Sequence, residues 1–145
     1  MQDEMLKIEN QICFPLYAAS RLVTKLYQPI LSKWDITYPQ YLVFLLLWEK
    51  DKRTVSDICT CLFLESSTLT PLLKRLEAKD YIIRTRSMKD ERSVIIELTK
   101  KGKSLRKEAK IIPQEILKNV SSKAIKKSDI LHLKATLTEI TKAIQ

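Results

Sequence analysis

The sequence predicts a mainly α-helical fold with one small β-hairpin. Three observations carry the prediction. Apolar residues recur every three or four positions along most of the chain, and the recurrence gives way to alternation only between residues 81 and 98. Side chains able to cap helices stand where the helical stretches begin.

Taken in order, residues 6–33 carry Ile12, Leu16, Ala19, Val23, Leu26 and Ile30 at the spacing of an amphipathic helix, with Pro15 marking a kink or boundary near its start. Thr37 and Gln40 form a capping box ahead of Tyr41–Trp48, a run apolar nearly all round that predicts a central, buried helix. Thr54 with Asp57 reads as a second cap, opening a short helix to about Leu62, and Ser66 or Ser67 opens a third to about Lys79. Tyr81–Arg86 and Ser93–Leu98 alternate and are rich in β-branched residues, with polar Ser87–Arg92 between them, so they read as the hairpin. From Thr99 the pattern is helical again, with Pro113 as a kink. A last helix from about Ser128 to Ile140 follows a loop through Ser121-Ser122 and Lys126-Lys127.

Composition excludes several function classes. A chain of 145 residues, 45% hydrophobic and 30% charged, suits one globular domain with extensions. At this size folding buries roughly 68–70% of the chain's surface, so neither a disulfide nor a metal is needed to hold a core. The single glycine, Gly102, excludes glycine-rich phosphate loops, and the single histidine, His132, excludes a multi-histidine metal site. No metal and no cofactor is expected. Tyr41–Trp48 is far shorter than the roughly 20 residues of a membrane span. The opening Gln2, Asp3 and Glu4 give no secretory signal. The expectation is a soluble, cytoplasmic, nucleoid-associated protein with no membrane partner.

The net charge is +9 and the pI about 9.5, which favours a polyanionic partner. Residues 1–50 are net neutral, 51–100 hold ten basic and eight acidic side chains, and 101–145 hold eleven and four. Two short helices followed by a hairpin read as a winged helix-turn-helix, whose second helix enters the major groove of double-stranded DNA. On that helix Leu69, Leu72, Leu73 and Leu76 share one side, within about 100° of arc. Ser67, Pro71, Lys74, Arg75 and Ala78 share the other, which bears no carboxylate and so suits a phosphate-lined groove. Arg84 and Arg86 fall on one strand face, and Lys89 and Arg92 stand in the connecting loop, within reach of a minor groove. Asp90 is read as orienting the Arg92 guanidinium, or as a plain turn aspartate. The bland alternative for all of these is an ordinary solvated surface.

Ser66-Ser67-Thr68-Leu69-Thr70-Pro71-Leu72-Leu73-Lys74-Arg75-Leu76-Glu77, with Asp90-Glu91-Arg92-Ser93-Val94 and Leu98-Thr99, resembles the MarR family of dimeric winged-helix transcription regulators. Glu9-Asn10-Gln11-Ile12-Cys13-Phe14, then Tyr17, Tyr27 and Thr37-Tyr38-Pro39-Gln40-Tyr41, is similar to its organic-hydroperoxide-sensing, OhrR-type branch. The resemblance covers roughly residues 8–110. It implies major-groove contact by Ser66, Ser67, Thr68, Thr70, Pro71, Lys74 and Arg75, and minor-groove contact by Arg92. It also implies a homodimer interlocked through its first and last helices. The expected organisation is residues 1–36 for the dimerisation helix with its sensing cysteine, 37–99 for the DNA-binding core and 100–145 for the C-terminal dimerisation helices. Two-fold symmetry predicts a pseudo-palindromic operator with half-sites about one helical turn apart.

Three cysteines without a secretory context read as reduced thiols. Cys59 and Cys61, two apart on a short helix, point to different faces and are read as packing residues, or, where one is exposed, as a secondary oxidation site. Tyr17 lies one turn beyond Cys13 on the same face, whereas Tyr27 is about 21 Å along a continuous helix and reaches that thiol only across an antiparallel dimer. The resemblance implies that Cys13 senses peroxide, bonded to Tyr17 and to Tyr27 and Tyr38 of the partner subunit. Oxidation to a sulfenic acid would precede condensation with a small cellular thiol, or with Cys59 or Cys61, or a sulfenamide. The function so read is a repressor released by Cys13 oxidation. Its alternatives are a MarR-type regulator gated by a small aromatic ligand, and a thiol peroxidase.

Overall fold

Helix ends fall where side chains satisfy backbone amides that have no partner inside the helix. In the computed structural model, which describes residues 2–121 and 125–145, this holds for the helices that begin at Tyr38, Val55, Lys100 and Lys127. The order is α1 (Gln2–Met5), a 3-10 turn (Ile8–Asn10), α2 (Cys13–Leu31), α3 (Tyr38–Glu49), β1 (Arg53–Thr54), α4 (Val55–Leu62), α5 (Ser66–Ala78), β2 (Ile82–Arg86), β3 (Val94–Leu98), α6 (Lys100–Ala109), α7 (Ile112–Val120) and α8 (Lys127–Ala143). Contacts divide the chain into two units, residues 28–110 and residues 1–27 with 111–145.

The unit 28–110 is built around α3, which the sequence marked as buried. Tyr41, Val43, Phe44 and Leu47 of α3 are buried, as is Gln40. Gln40 Oε1 accepts the Thr37 N–H at 2.9 Å, completing the expected capping box. Thr54 Oγ1 accepts the Asp57 N–H at 3.1 Å and starts α4. Phe63 ends α4 in the left-handed region, φ 55°, which closes the turn leading into α5 without a glycine. Leu69, Leu72, Leu73 and Leu76 are buried, as the one-sided pattern of α5 requires. Around them Phe44 stacks on Trp48 (5.2 Å between centroids) and meets Tyr81 edge-on (5.4 Å).

The sheet has three antiparallel strands in the order β1-β3-β2, with Arg84 opposite Ile96 and Arg86 opposite Val94. The hairpin is where alternation put it. β1 was not anticipated: two residues, paired as Arg53 with Ile96 and Thr54 with Ile95, are too short to show a period. Thr99 Oγ1 accepts the Gly102 N–H at 3.1 Å and starts α6. A Cβ at Gly102 would run into the Tyr81 carbonyl oxygen, so α6 sits as close as it does only because this residue is glycine.

In the unit formed by residues 1–27 and 111–145, Pro15 marks a boundary, not a kink: α2 begins at Cys13. Pro113 likewise lies in the first turn of α7, where its missing N–H costs nothing. Asp129 Oδ2 accepts the Lys126 N–H at 2.7 Å and starts α8 at Lys127, one residue before the helix the sequence predicts. Of the loop expected ahead of it, Ser122 lies outside the described residues. No residue of α8 is buried, and Leu131, Leu133 and Ile140 are exposed along it.

Candidate nucleic-acid interface and thiol site

The DNA-facing surface is assembled on α5 and on the loop between β2 and β3. Burial of the four leucines turns Ser67, Pro71, Lys74 and Arg75 outward, and all are exposed, as are Ser66 and Thr68; Thr70 is half-buried. Pro71 lies inside α5 and has no N–H to give the Ser67 carbonyl, so the exposed side of the helix carries a main-chain acceptor free of its usual partner. Gln40 Nε2 donates to the Leu72 carbonyl at 3.3 Å, tying α5 to the buried helix behind it.

The wing divides into scaffold and presented groups. The Ser87 N–H donates to the Ser93 carbonyl at 2.8 Å, and the Ser93 N–H to the Asp90 carbonyl at 2.9 Å. Ser87 Oγ accepts from the Lys89 and Asp90 amides at 3.2 and 3.4 Å. Asp90 Oδ1 accepts the backbone N–H of Arg92 at 3.1 Å, and Oδ2 accepts from Ser93 Oγ at 3.1 Å. The expectation that Asp90 orients the Arg92 guanidinium is therefore replaced: two residues apart in a tight turn, the carboxylate closes on the nearer amide. Arg86, Lys89 and Arg92 are exposed.

Arg84 is placed differently from Arg86. Its side chain is only 20% exposed, with Nη1 3.5 Å from Glu77 Oε2, and its Nε is buried without a partner among the described residues. Glu77, on the same helix as the basic residues, thus faces the wing, and the pair braces β2 against α5. A cleft of about 620 Å³ between the start of α5 and the wing brings together Ser66, Thr70, Arg84 and Arg92, with Cys59 in its wall.

Cys13 is the first residue of α2 and is exposed. One turn on, the Tyr17 hydroxyl accepts from Arg21 Nη1 at 2.7 Å, with the guanidinium 5.5 Å from the ring centroid. Arg21 has no role in the sequence reading. Its spacing of four from Tyr17 was the available signal. Tyr27 lies at the far end of the same helix and is half-buried. In the other unit Tyr38 is half-buried, and burial pushes its hydroxyl above the usual tyrosine range, so it remains a proton donor throughout the neutral range. Cys59 is half-buried, and burial followed by the nearby Glu65 raises its thiol. Cys61 is not a packing residue: it is exposed, with its sulfur 3.9 Å from Arg53 Nη1. Among the described residues no group of three or more His, Cys, Asp or Glu could hold a metal ion, and no helix is long and apolar enough to cross a membrane.

A family model described as transcriptional regulator SarA/Rot matches residues 25–109. An organic hydroperoxide resistance transcriptional regulator of Bacillus subtilis is 54% identical over 112 residues, which span 77% of this chain and 76% of the relative. The regulator SarZ of Staphylococcus aureus is 36% identical over 125 residues, spanning 86% of this chain and 84% of its own. The structure of reduced AbfR bound to DNA is similar with a TM-score of 0.80 and 35% identity, over 99% of this chain and 96% of that one; AbfR, a protein of Staphylococcus epidermidis, is also solved in a disulfide-formed state (TM-score 0.66, 33% identity, 99% and 97% covered). These relatives regulate transcription or bind DNA. By the family model and by the extent of these identities, the chain belongs to the SarA/Rot family of MarR-like winged-helix transcriptional regulators, DNA-binding proteins and not enzymes.

Proposed function

We propose that this regulator is a homodimeric repressor whose DNA affinity is switched off when a peroxide oxidises Cys13. The observation that carries the reading is the exposed Cys13 at the start of α2, with Tyr17 one turn on, in a chain 54% identical to an organic hydroperoxide resistance regulator. The chemistry balances without a cofactor. The thiol and a hydroperoxide ROOH give the sulfenic acid and ROH, and the sulfenic acid and a small cellular thiol give a mixed disulfide and water. The thiolate is the attacking form, and hydroxyls of Tyr17 and of the partner's Tyr27 and Tyr38 would hydrogen-bond it. DNA contact falls to Ser66, Ser67, Thr68, Thr70, Pro71, Lys74 and Arg75 on α5, and to Arg86, Lys89 and Arg92 on the wing. Arg84 and Asp90 hold that surface in shape. Exposed Leu16 and Leu22 on α2, and Leu131, Leu133 and Ile140 on α8, are the apolar side chains that residues 1–36 and 100–145 would bury between two copies. A two-fold dimer would read a pseudo-palindromic operator in the cytoplasm, where the nucleoid lies.

The test is fluorescence anisotropy on a duplex selected from a random pool by the reduced protein. Binding is expected to fall at least about tenfold after one equivalent of cumene hydroperoxide with a small thiol, and to be unaffected in Cys13→Ser. Binding that ignores peroxide in both proteins overturns the thiol switch and turns the search to a small aromatic ligand.

A further inference from the structure

We propose that Met88 is a DNA-contacting residue that enters the minor groove from the tip of the wing and reads groove shape. The inference rests on the DNA-binding reading and adds to it a side chain that charge alone would never select. Residues 87–93 join Arg86 to Val94, which are paired in register at the end of the hairpin. Within this loop the hydroxyl of Ser87 and both carboxylate oxygens of Asp90 are taken up by the loop's own amides and by Ser93. Those bonds fix the loop, and what it presents outward is Met88 with Lys89 and Arg92, beside one exposed carboxylate, Glu91.

Met88 is 101% exposed, and no other large apolar side chain among the described residues is as exposed. It lies between Arg86 on one side and Lys89 and Arg92 on the other, three cations that favour a phosphate-walled groove. The walls of a minor groove are deoxyribose C–H surfaces. Apolar side chains, methionine among them, are the groups that proteins press against those walls or wedge between base steps. A thioether chain with three rotatable bonds adapts its shape to an irregular apolar surface. An apolar contact depends on groove width and so on the bases, and it does so through fit, where the neighbouring cations respond to the groove through its potential.

The experiment compares the wild-type protein with Met88→Ala, Met88→Gln, Met88→Leu and Lys89→Ala on the duplex selected by the reduced wild-type protein, over a series of KCl concentrations. The expected result is a loss of about five- to tenfold in affinity for Met88→Ala and Met88→Gln, with the slope of log Kd against log [KCl] unchanged. Met88→Leu should stay within about twofold, and Lys89→Ala should reduce the slope by about one. Hydroxyl-radical footprinting should show minor-groove protection at the outer edge of each half-site, lost in Met88→Ala. Wild-type affinity for the alanine and glutamine variants at every salt concentration overturns the proposal, as does a slope that falls together with their affinity. A wild-type protein that selects no duplex overturns the DNA-binding reading itself, a distinct result.

Discussion

Both ends of the Gln40 amide are used, and the two uses differ in how they arise. Its oxygen caps α3 through Thr37, three residues away, a relation visible in the spacing of a capping box. Its nitrogen reaches the Leu72 carbonyl, 32 residues on, and no local pattern encodes that bond. The thiols divide the same way. Cys59 and Cys61 are equivalent in sequence, and only the fold puts Glu65 and burial around one and the Arg53 guanidinium beside the other. Burial and Glu65 raise the Cys59 thiol and so lower its thiolate fraction, and burial also screens it from reagents. Iodoacetamide should therefore alkylate the exposed Cys61 at least about fivefold faster than the half-buried Cys59; peptide mass spectrometry reads the ratio. Equal rates would mean that the cleft wall around Cys59 opens in solution. The pairing of Tyr17 with Arg21 was legible from spacing, but that of Glu77 with Arg84 was not, since helix and strand meet only in the folded chain.

The helices and the hairpin were largely legible because each has a long period and a chemical start signal. α3, α4, α5 and the wing strands begin within a residue or two of the positions that caps and alternation mark. β1 escaped because two residues show no period, and α8 starts a residue earlier than expected because Asp129 reaches back to the Lys126 amide. α6 poses a sharper test. Alanine is worth up to about 1 kcal/mol more than glycine inside a helix, so propensity alone favours Gly102→Ala. The methyl group, however, would meet the Tyr81 carbonyl and crowd Leu98, and overpacking of that kind costs about 1–3 kcal/mol. The clash should win, giving a net destabilisation in urea unfolding and weakening the bond from Trp48 Nε1 to the Gly102 carbonyl, now 3.0 Å. A variant as stable as the parent would show that α6 can shift off the sheet at little cost.

For the whole molecule, the apolar side chains left open along α2 and α8 make stability a matter of concentration if a second copy covers them. Thermal unfolding followed by circular dichroism should then give a midpoint rising by about 3 °C for each tenfold increase in protein, against no change for a monomer. The charge asymmetry was plain in the sequence, and two of the eleven basic side chains after residue 100 are engaged within the core unit. Lys101 lies over the Tyr81 ring, 4.4 Å from its centroid, and Lys103 pairs with Asp51 at 3.3 Å. The wing carries a further consequence, one of entropy. Fixing a backbone residue costs about 1–2 kcal/mol, and a seven-residue loop that ordered itself only on DNA would subtract that cost from its affinity. Here Ser87 and Asp90 hold the loop in shape as the chain folds. Operator binding therefore starts from a wing already in shape, and removing the Asp90 carboxylate should slow association and leave the charge of every DNA-facing cation untouched.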